Sequence, residues 1–252
     1  MSKHKLSCIK IILLFYNLIM SEIRIIKGNI FDSQMQTIVN TVNCVGFMGA
    51  GLALEFSRRF PDLNEEYKQM CLNNEVKIGE LFIYKKSIPW IINFPTKIHY
   101  SDPSMMSYIE QGLDKFSKIY KYEKITSIAF PQLGSSLGGL NWDDVLNLMF
   151  TYLEKLKDIE IEIYEFDPSA PDKLFDDLYE IIKEFDTRDY KKYLNINQKV
   201  ANQIKSSLGK NIRSMRDFEF VKGIGPTSLS KLYKVEDLKN IQTSFDIPEN
   251  YE

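Results

Sequence analysis

Six short runs rich in β-branched and aromatic residues, separated by turns or by stretches of helical periodicity, constrain this chain more than any other feature. They fall at Ile23–Ile26, Thr37–Val42, Leu81–Tyr84, Trp90–Phe94, Ile125–Phe130 and Ile159–Phe166. Between them, Gly51–Arg59 and Pro61–Leu72 read as helices, with Pro61 suited to a first helical turn. Met105–Tyr122 sets Tyr108, Ile109, Leu113, Phe116, Ile119 and Tyr120 on one face. Trp142–Leu156 does the same with Trp142, Val145, Leu146, Met149, Leu153 and Leu156, behind an Asn141 cap. Strands alternating with helices imply a largely parallel sheet covered on both faces. Functional residues in such α/β folds collect in loops beyond the strands' carboxyl ends.

Charge then divides the chain. Residues 158–186 carry eleven acids against Lys173 and Lys183, whereas residues 201–240 carry eight basic residues against four acids. The organisation expected is a domain over 21–170, an acidic helix and linker over 171–195, and a small all-helical element over 196–252. Residues 1–20 hold early lysines and an apolar run from Ile9 to Met20. That run has no A-x-A-like cleavage site after it and is too short to span a bilayer. It is read as a mis-assigned extension, with Met20 as the start of a cytoplasmic domain that has no membrane partner.

Composition removes several chemistries. The only two histidines are His4 and His99, which excludes HExxH motifs and histidine-rich zinc sites and leaves almost no room for a Ser-His-Asp triad. Cys8, Cys44 and Cys71 have no disulfide or zinc-knuckle spacing, which suits a reduced compartment. The net charge of −2 gives no whole-chain argument for nucleic acid. Chemistry is left to Lys, Asp, Glu, Ser, Asn and backbone groups, with no metal and no cofactor expected.

Three loops follow strands: Gly28–Phe31, Asn40–Leu54 and Pro131–Trp142. The second and third are glycine-rich and lead into helices, so their free backbone N–H groups suit phosphate oxygens. Neither is GxGxxG or GxxxxGK[ST], and two such loops could hold the two phosphates of a diphosphate. Lys97 ends the Trp90–Phe94 strand at its carboxyl side, where a site should lie.

In chain order, Gly28-Asn29-Ile30, Asn40-Thr41-Val42-Asn43, Gly46-Phe47-Met48-Gly49-Ala50-Gly51 and Pro131-Gln132-Leu133-Gly134 through Gly138-Gly139-Leu140 resemble the ADP-ribose-binding macrodomain family. The resemblance covers roughly residues 22–168. Within the family, NTVNCVGFMGAG, FPTK and LGSSLGGLNW are most similar to the DarG antitoxin branch, whose members remove ADP-ribose from thymidine in single-stranded DNA and reverse a DarT toxin. The resemblance implies a three-layer sandwich around a mixed, mostly parallel sheet, with ADP-ribose, ADP-ribosylated DNA and a DarT-type toxin as partners.

It also implies that Lys97 is catalytic, either as a nucleophile toward the anomeric carbon or as a cation stabilising the leaving group. Substrate contacts are implied for Asn29, Ile30, Asn40, Asn43, Met48, Gly49, Ala50 and Gly51. The third loop would add Leu133, Gly134, Ser135, Ser136, Leu137, Gly138 and Gly139, and Phe166 would stack on adenine. Two positions depart from wider family patterns. Gly138 stands where a related protein-directed glycohydrolase has an aspartate that pairs with the lysine, and Asn29 stands where most members have Asp. Two other functions suit the same resemblance: a non-catalytic ADP-ribose reader, and a hydrolase of protein-linked or small-molecule ADP-ribose esters. The tail from Phe218 to Tyr233 resembles a helix-hairpin-helix, in which Lys222, Gly223, Gly225 and Thr227 would meet a DNA phosphate.

Overall fold

A computed structural model describes residues 22–239 apart from residues 211 and 236, so the expected extension over 1–20 lies outside the described residues. The chain divides into two compact units, one ending at Pro168 and the other beginning at Ser169.

The first unit is a six-stranded sheet with the order β1-β6-β5-β2-β4-β3. Its strands are β1 (Glu22–Gly28), β2 (Thr37–Val42), β3 (Phe82–Tyr84), β4 (Trp90–Pro95), β5 (Ser127–Pro131) and β6 (Glu160–Phe166). All neighbours pair in parallel except β3 and β4. The carboxyl ends of five parallel strands therefore open on one edge of the sheet. Helices α1 (Gly51–Arg59) and α2 (Pro61–Leu72) follow β2, α3 (Met106–Ile119) follows β4, and α4 (Trp142–Leu153) follows β5.

Alternation along the strands divides the core into two layers. Val39, Ile92, Phe94, Ile128, Phe130, Ile161 and Ile163 pack with Ile109, Leu113 and Phe116 of α3 and with Val145, Met149 and Leu153 of α4. The intervening residues Ile38, Ile91, Ala129 and Tyr164 face the other way, onto Phe56 of α1 and Leu63 of α2. Burial of each large side chain contributes about 1.5–3 kcal/mol, so the two faces fix the register of every strand. One helical glycine has a steric purpose. A Cβ on Gly112 would lie 2.1 Å from the Phe94 ring, so α3 approaches β4 only because that position is bare.

Strand β5 starts two residues later than the apolar run predicts. Lys124 has φ +61°, the Ile125 N–H donates to the Tyr120 carbonyl and closes the preceding helix, and the Thr126 N–H donates to Gln36 Oε1 before pairing begins.

The second unit is helical: α5 (Lys173–Ile182), α6 (Thr187–Leu194), α7 (Gln198–Ser207), a 3-10 segment (Met215–Phe220) and α8 (Pro226–Leu232). Its own core includes Phe175, Leu178, Tyr190, Ile204, Phe218 and Leu232. The stretch read as a linker carries α6, started by an Asp186–Asp189 capping box and stopped by Asn195 at φ 49°. Buried Asp172 ties the unit together. Its Oδ1 accepts from Leu174 N and Phe175 N, and its Oδ2 accepts from Met215 N at 2.9 Å.

Candidate active site

The site is assembled from the carboxyl-end loops of β1, β2, β4, β5 and β6. After β2, Asn43 organises its loop. Its Oδ1 accepts from Val45 N and Phe47 N, its Nδ2 donates to the Phe47 carbonyl, and buried Tyr67 donates its hydroxyl to the Asn43 carbonyl at 2.7 Å. The loop then turns through Met48, Gly49 and Ala50 into α1, whose first residue, Gly51, has φ +56°. Asn40 lies deeper, fully buried, and its Nδ2 donates to Asn93 Oδ1 at 2.8 Å. Asn40 Oδ1, Asn93 Nδ2 and Ser104 Oγ are buried and find no partner among the described residues.

The third loop, Leu133 to Gly139, folds back on itself. Leu140 N donates to the Gly134 carbonyl, Ser135 Oγ donates to the Leu133 carbonyl, and Ser104 N donates to the Gly138 carbonyl. Gly139 N donates to the Ser136 carbonyl. A Cβ on Gly138 would sit 2.1 Å from the Gly134 carbonyl oxygen and 2.4 Å from Ser104 Oγ. The loop has no room for any side chain there, so the bare position that sets this chain apart from the aspartate-bearing pattern is built into the backbone path.

Lys97 joins these parts. It lies two residues past the end of β4, and its Nζ donates to the Leu137 carbonyl at 2.7 Å, which places the amine against the third loop. The segment is anchored beside the second loop, because Thr96 N donates to the Val42 carbonyl and Cys44 N donates to the Ile98 carbonyl. Burial raises the pKa of the Cys44 thiol and pushes that of Cys71 up to about 11, so both are neutral thiols near pH 7 and poor nucleophiles.

At the opposite end of the row, Gly28 and Phe166 are register partners. Asn29 Oδ1 accepts from Phe31 N and caps the 3-10 turn Ile30–Asp32, with Ile30 buried. Phe166 is 55% exposed, and its N–H donates to Gln132 Oε1 of the third loop. The structure thus gathers the loops carrying Lys97, Asn29, Asn43, Met48–Gly51, Leu133–Gly139 and Phe166 along one edge, and puts Asn40 beneath them.

Sequence reasoning missed Asn93, Tyr67 and Ser104. Asn93 had a signal, since it is a polar residue in an apolar strand run. Ser104 and Tyr67 had none, because their roles depend on the path of distant loops. Among the described residues, no group of three or more His, Cys, Asp or Glu is placed to hold a metal ion, and no helix is long and apolar enough to cross a membrane.

The Macro domain family model matches residues 39–149. The solved macrodomain of Thermus aquaticus DarG is 40% identical, with a TM-score of 0.55, and the match covers 57% of this chain and 99% of that one. The chain belongs to the macrodomain family. This macrodomain is also 40% identical over 147 residues to a Thermus aquaticus protein named DNA ADP-ribosyl glycohydrolase. That match takes in 57% of the chain but 41% of the relative, so the chain spans about two fifths of the length of such curated relatives. The structure titled Thermosipho africanus DarTG in complex with ADP-ribose is 37% identical, with a TM-score of 0.56, over 59% of this chain and 42% of that one. The helical unit, with Lys222 exposed, Gly223 at φ +94°, Gly225 capping α8 and Thr227 exposed, lies beyond the family match. The arm before that turn is a 3-10 segment rather than an α-helix.

Proposed function

We propose that this macrodomain hydrolyses ADP-ribose from DNA, at thymidine in a single strand, and so reverses a DarT-type toxin. The observation that carries the reading is the position of Lys97, whose Nζ is held at 2.7 Å from a carbonyl of the third loop at the carboxyl end of β4. The strand order supports an extended ligand. From β1 and β6, through the loops of β5 and β2, to Lys97 on β4 is three to four strand steps, roughly 14–19 Å at about 4.8 Å per step. Adenine beside Asn29 and Phe166, phosphates on the two glycine-rich loops and the distal ribose at Lys97 follow that order. The relatives named as DNA ADP-ribosyl glycohydrolases, and the Thermosipho africanus protein named as a transferase–glycohydrolase fusion, favour DNA as the substrate and a toxin as the partner.

In the reaction, water is added across the bond between the anomeric carbon and the base nitrogen, which regains a proton. Two roles suit Lys97. As a neutral amine it attacks the anomeric carbon, expels the base and forms a lysyl–ribose adduct that water resolves. As an ammonium it stabilises charge on the departing base. The closed lysyl–ribose adduct opens to an imine, and borohydride reduction of that imine to a stable amine on Lys97 separates the two roles. We further propose that Lys222, Gly223, Gly225 and Thr227 meet the DNA backbone, so that Lys222→Ala lowers the salt dependence of strand binding by about one unit of slope.

The test of the function is incubation of the chain with an ADP-ribosylated thymidine oligonucleotide and measurement of the strand's mass. Loss of the ADP-ribose increment is expected. Full retention of it by the wild-type protein overturns the reading.

A further inference from the structure

Five large apolar side chains left in water surround Lys97. Val45 and Phe47 of the second loop, Ile98 and Tyr100 just past the lysine, and Leu137 of the third loop are each between about 46% and 65% exposed. Scattered exposed apolar residues need no explanation, but a cluster on the rim of a site does. Two of these residues, Phe47 and Tyr100, are flat rings, and they are in contact with each other and with the His99 ring. Phe47 and Tyr100 have ring centroids 4.9 Å apart, and Tyr100 and His99 are 4.0 Å apart. The arrangement is braced from both sides. The Phe47 ring lies over Gly49, whose added Cβ would fall 2.1 Å from it, and His99 Nδ1 is 2.7 Å from Ser101 Oγ.

We propose that Phe47, His99 and Tyr100 form a stacking platform for a nucleobase of the substrate strand. The inference rests on the DNA reading above and adds the part of the site that takes the strand itself. With the distal ribose at Lys97, whatever is bonded to its anomeric carbon leaves the pocket across residues next to that lysine. Tyr100 lies three positions beyond it, and Phe47 stands on the facing loop. Flat, partly exposed rings suit the π-face of any base, without regard to sequence. Positioned there, they would hold the strand so that the modified base meets Lys97.

The platform is read by binding, independently of turnover, using fluorescence anisotropy on the full chain with an unmodified oligothymidylate. Tyr100→Ala is expected to weaken binding roughly tenfold, and Phe47→Ala combined with it up to about a hundredfold. Tyr100→Trp should restore it, while calorimetric affinity for free ADP-ribose stays at the wild-type level in Tyr100→Ala and Tyr100→Trp. The strand supplies a second arm that does not depend on how the variants fold. Replacing the thymidines with abasic positions should cost the wild-type protein up to about a hundredfold and cost the double variant nothing further. Strand binding unchanged in the ring variants, as for a rim that docks a protein, overturns the platform. So does an oligothymidylate bound no better than its abasic counterpart by the wild type. If the ring variants lose strand binding while the wild-type protein releases no ADP-ribose, the platform stands and the hydrolase reading falls.

Discussion

Both units of this molecule contain a glycine-rich turn leading toward a helix, and the two turns are glycine-rich for different reasons. In the α/β unit a Cβ on Gly138 would overlap backbone at 2.1 Å, whereas in the helical unit a Cβ on Gly225 would meet nothing within 4 Å. The first turn is crowded by its own carbonyls and by Ser104. The second is open. Two motifs that look alike in sequence thus differ in what the fold demands of them, and the crowded one is joined to a lysine just past another strand through the bond from Lys97 to Leu137.

Removing that charged group should give the largest effect. Lys97→Ala is expected to lower turnover on ADP-ribosylated oligonucleotide by about a hundredfold or more, while calorimetric affinity for ADP-ribose changes only a few-fold. Turnover within a few-fold of wild type would detach the crowded loop from catalysis.

The glycines themselves come next. Gly138→Ala should cost about 1–3 kcal/mol, because a backbone overlap does not relax by rotating a side chain. It should also weaken ADP-ribose binding by about tenfold or more. Gly225→Ala should stay within about 0.5 kcal/mol. Denaturant unfolding followed by calorimetry measures both, and equal losses at the two positions would break the contrast. The helical unit puts its constraint elsewhere, in a buried carboxylate. Asp172→Ala strands the N–H groups of Leu174, Phe175 and Met215 and should cost about 1–2 kcal/mol in the same unfolding experiment.

The same contrast explains what was legible in the sequence. Strand runs, helix faces and the Asn141 cap are local patterns, and the sheet with α3 and α4 on one face and α1 and α2 on the other follows from them. The position of Lys97 at a strand's end was equally readable. Its bond to Leu137, forty residues away, was not, nor was the crowding at Gly138, because both depend on how separate loops meet. Local rules also mislaid ends. The apolar run at Ile125 looks like strand, yet its N–H is used to close the preceding helix. In the helical unit, α6 was hidden in a charged stretch whose apolar side rests on Tyr190 and Leu194 alone among its buried residues.

The smallest expected effect lies on that helix and sharpens the contrast by pH. Asp186 caps α6 from the surface. Its carboxylate accepts from the Arg188 guanidinium at 2.8 and 3.0 Å and from the N–H groups of Arg188 and Asp189. The guanidinium first, and the two N–H groups after it, hold its pKa down to about 2 from the usual 3.8. A carboxyl whose pKa is lower when folded contributes fully above the unfolded value and loses its contribution as pH falls through the folded one. Asn caps a helix about as well as Asp but carries no charge. Asp186→Asn should therefore melt slightly below wild type at pH 7, with the gap closing between about pH 4 and pH 2. Other carboxyls titrate in that window in both proteins and cancel in the difference. A gap that stays constant from pH 7 to pH 2 would mean that the cap, and not its charge, is what α6 uses.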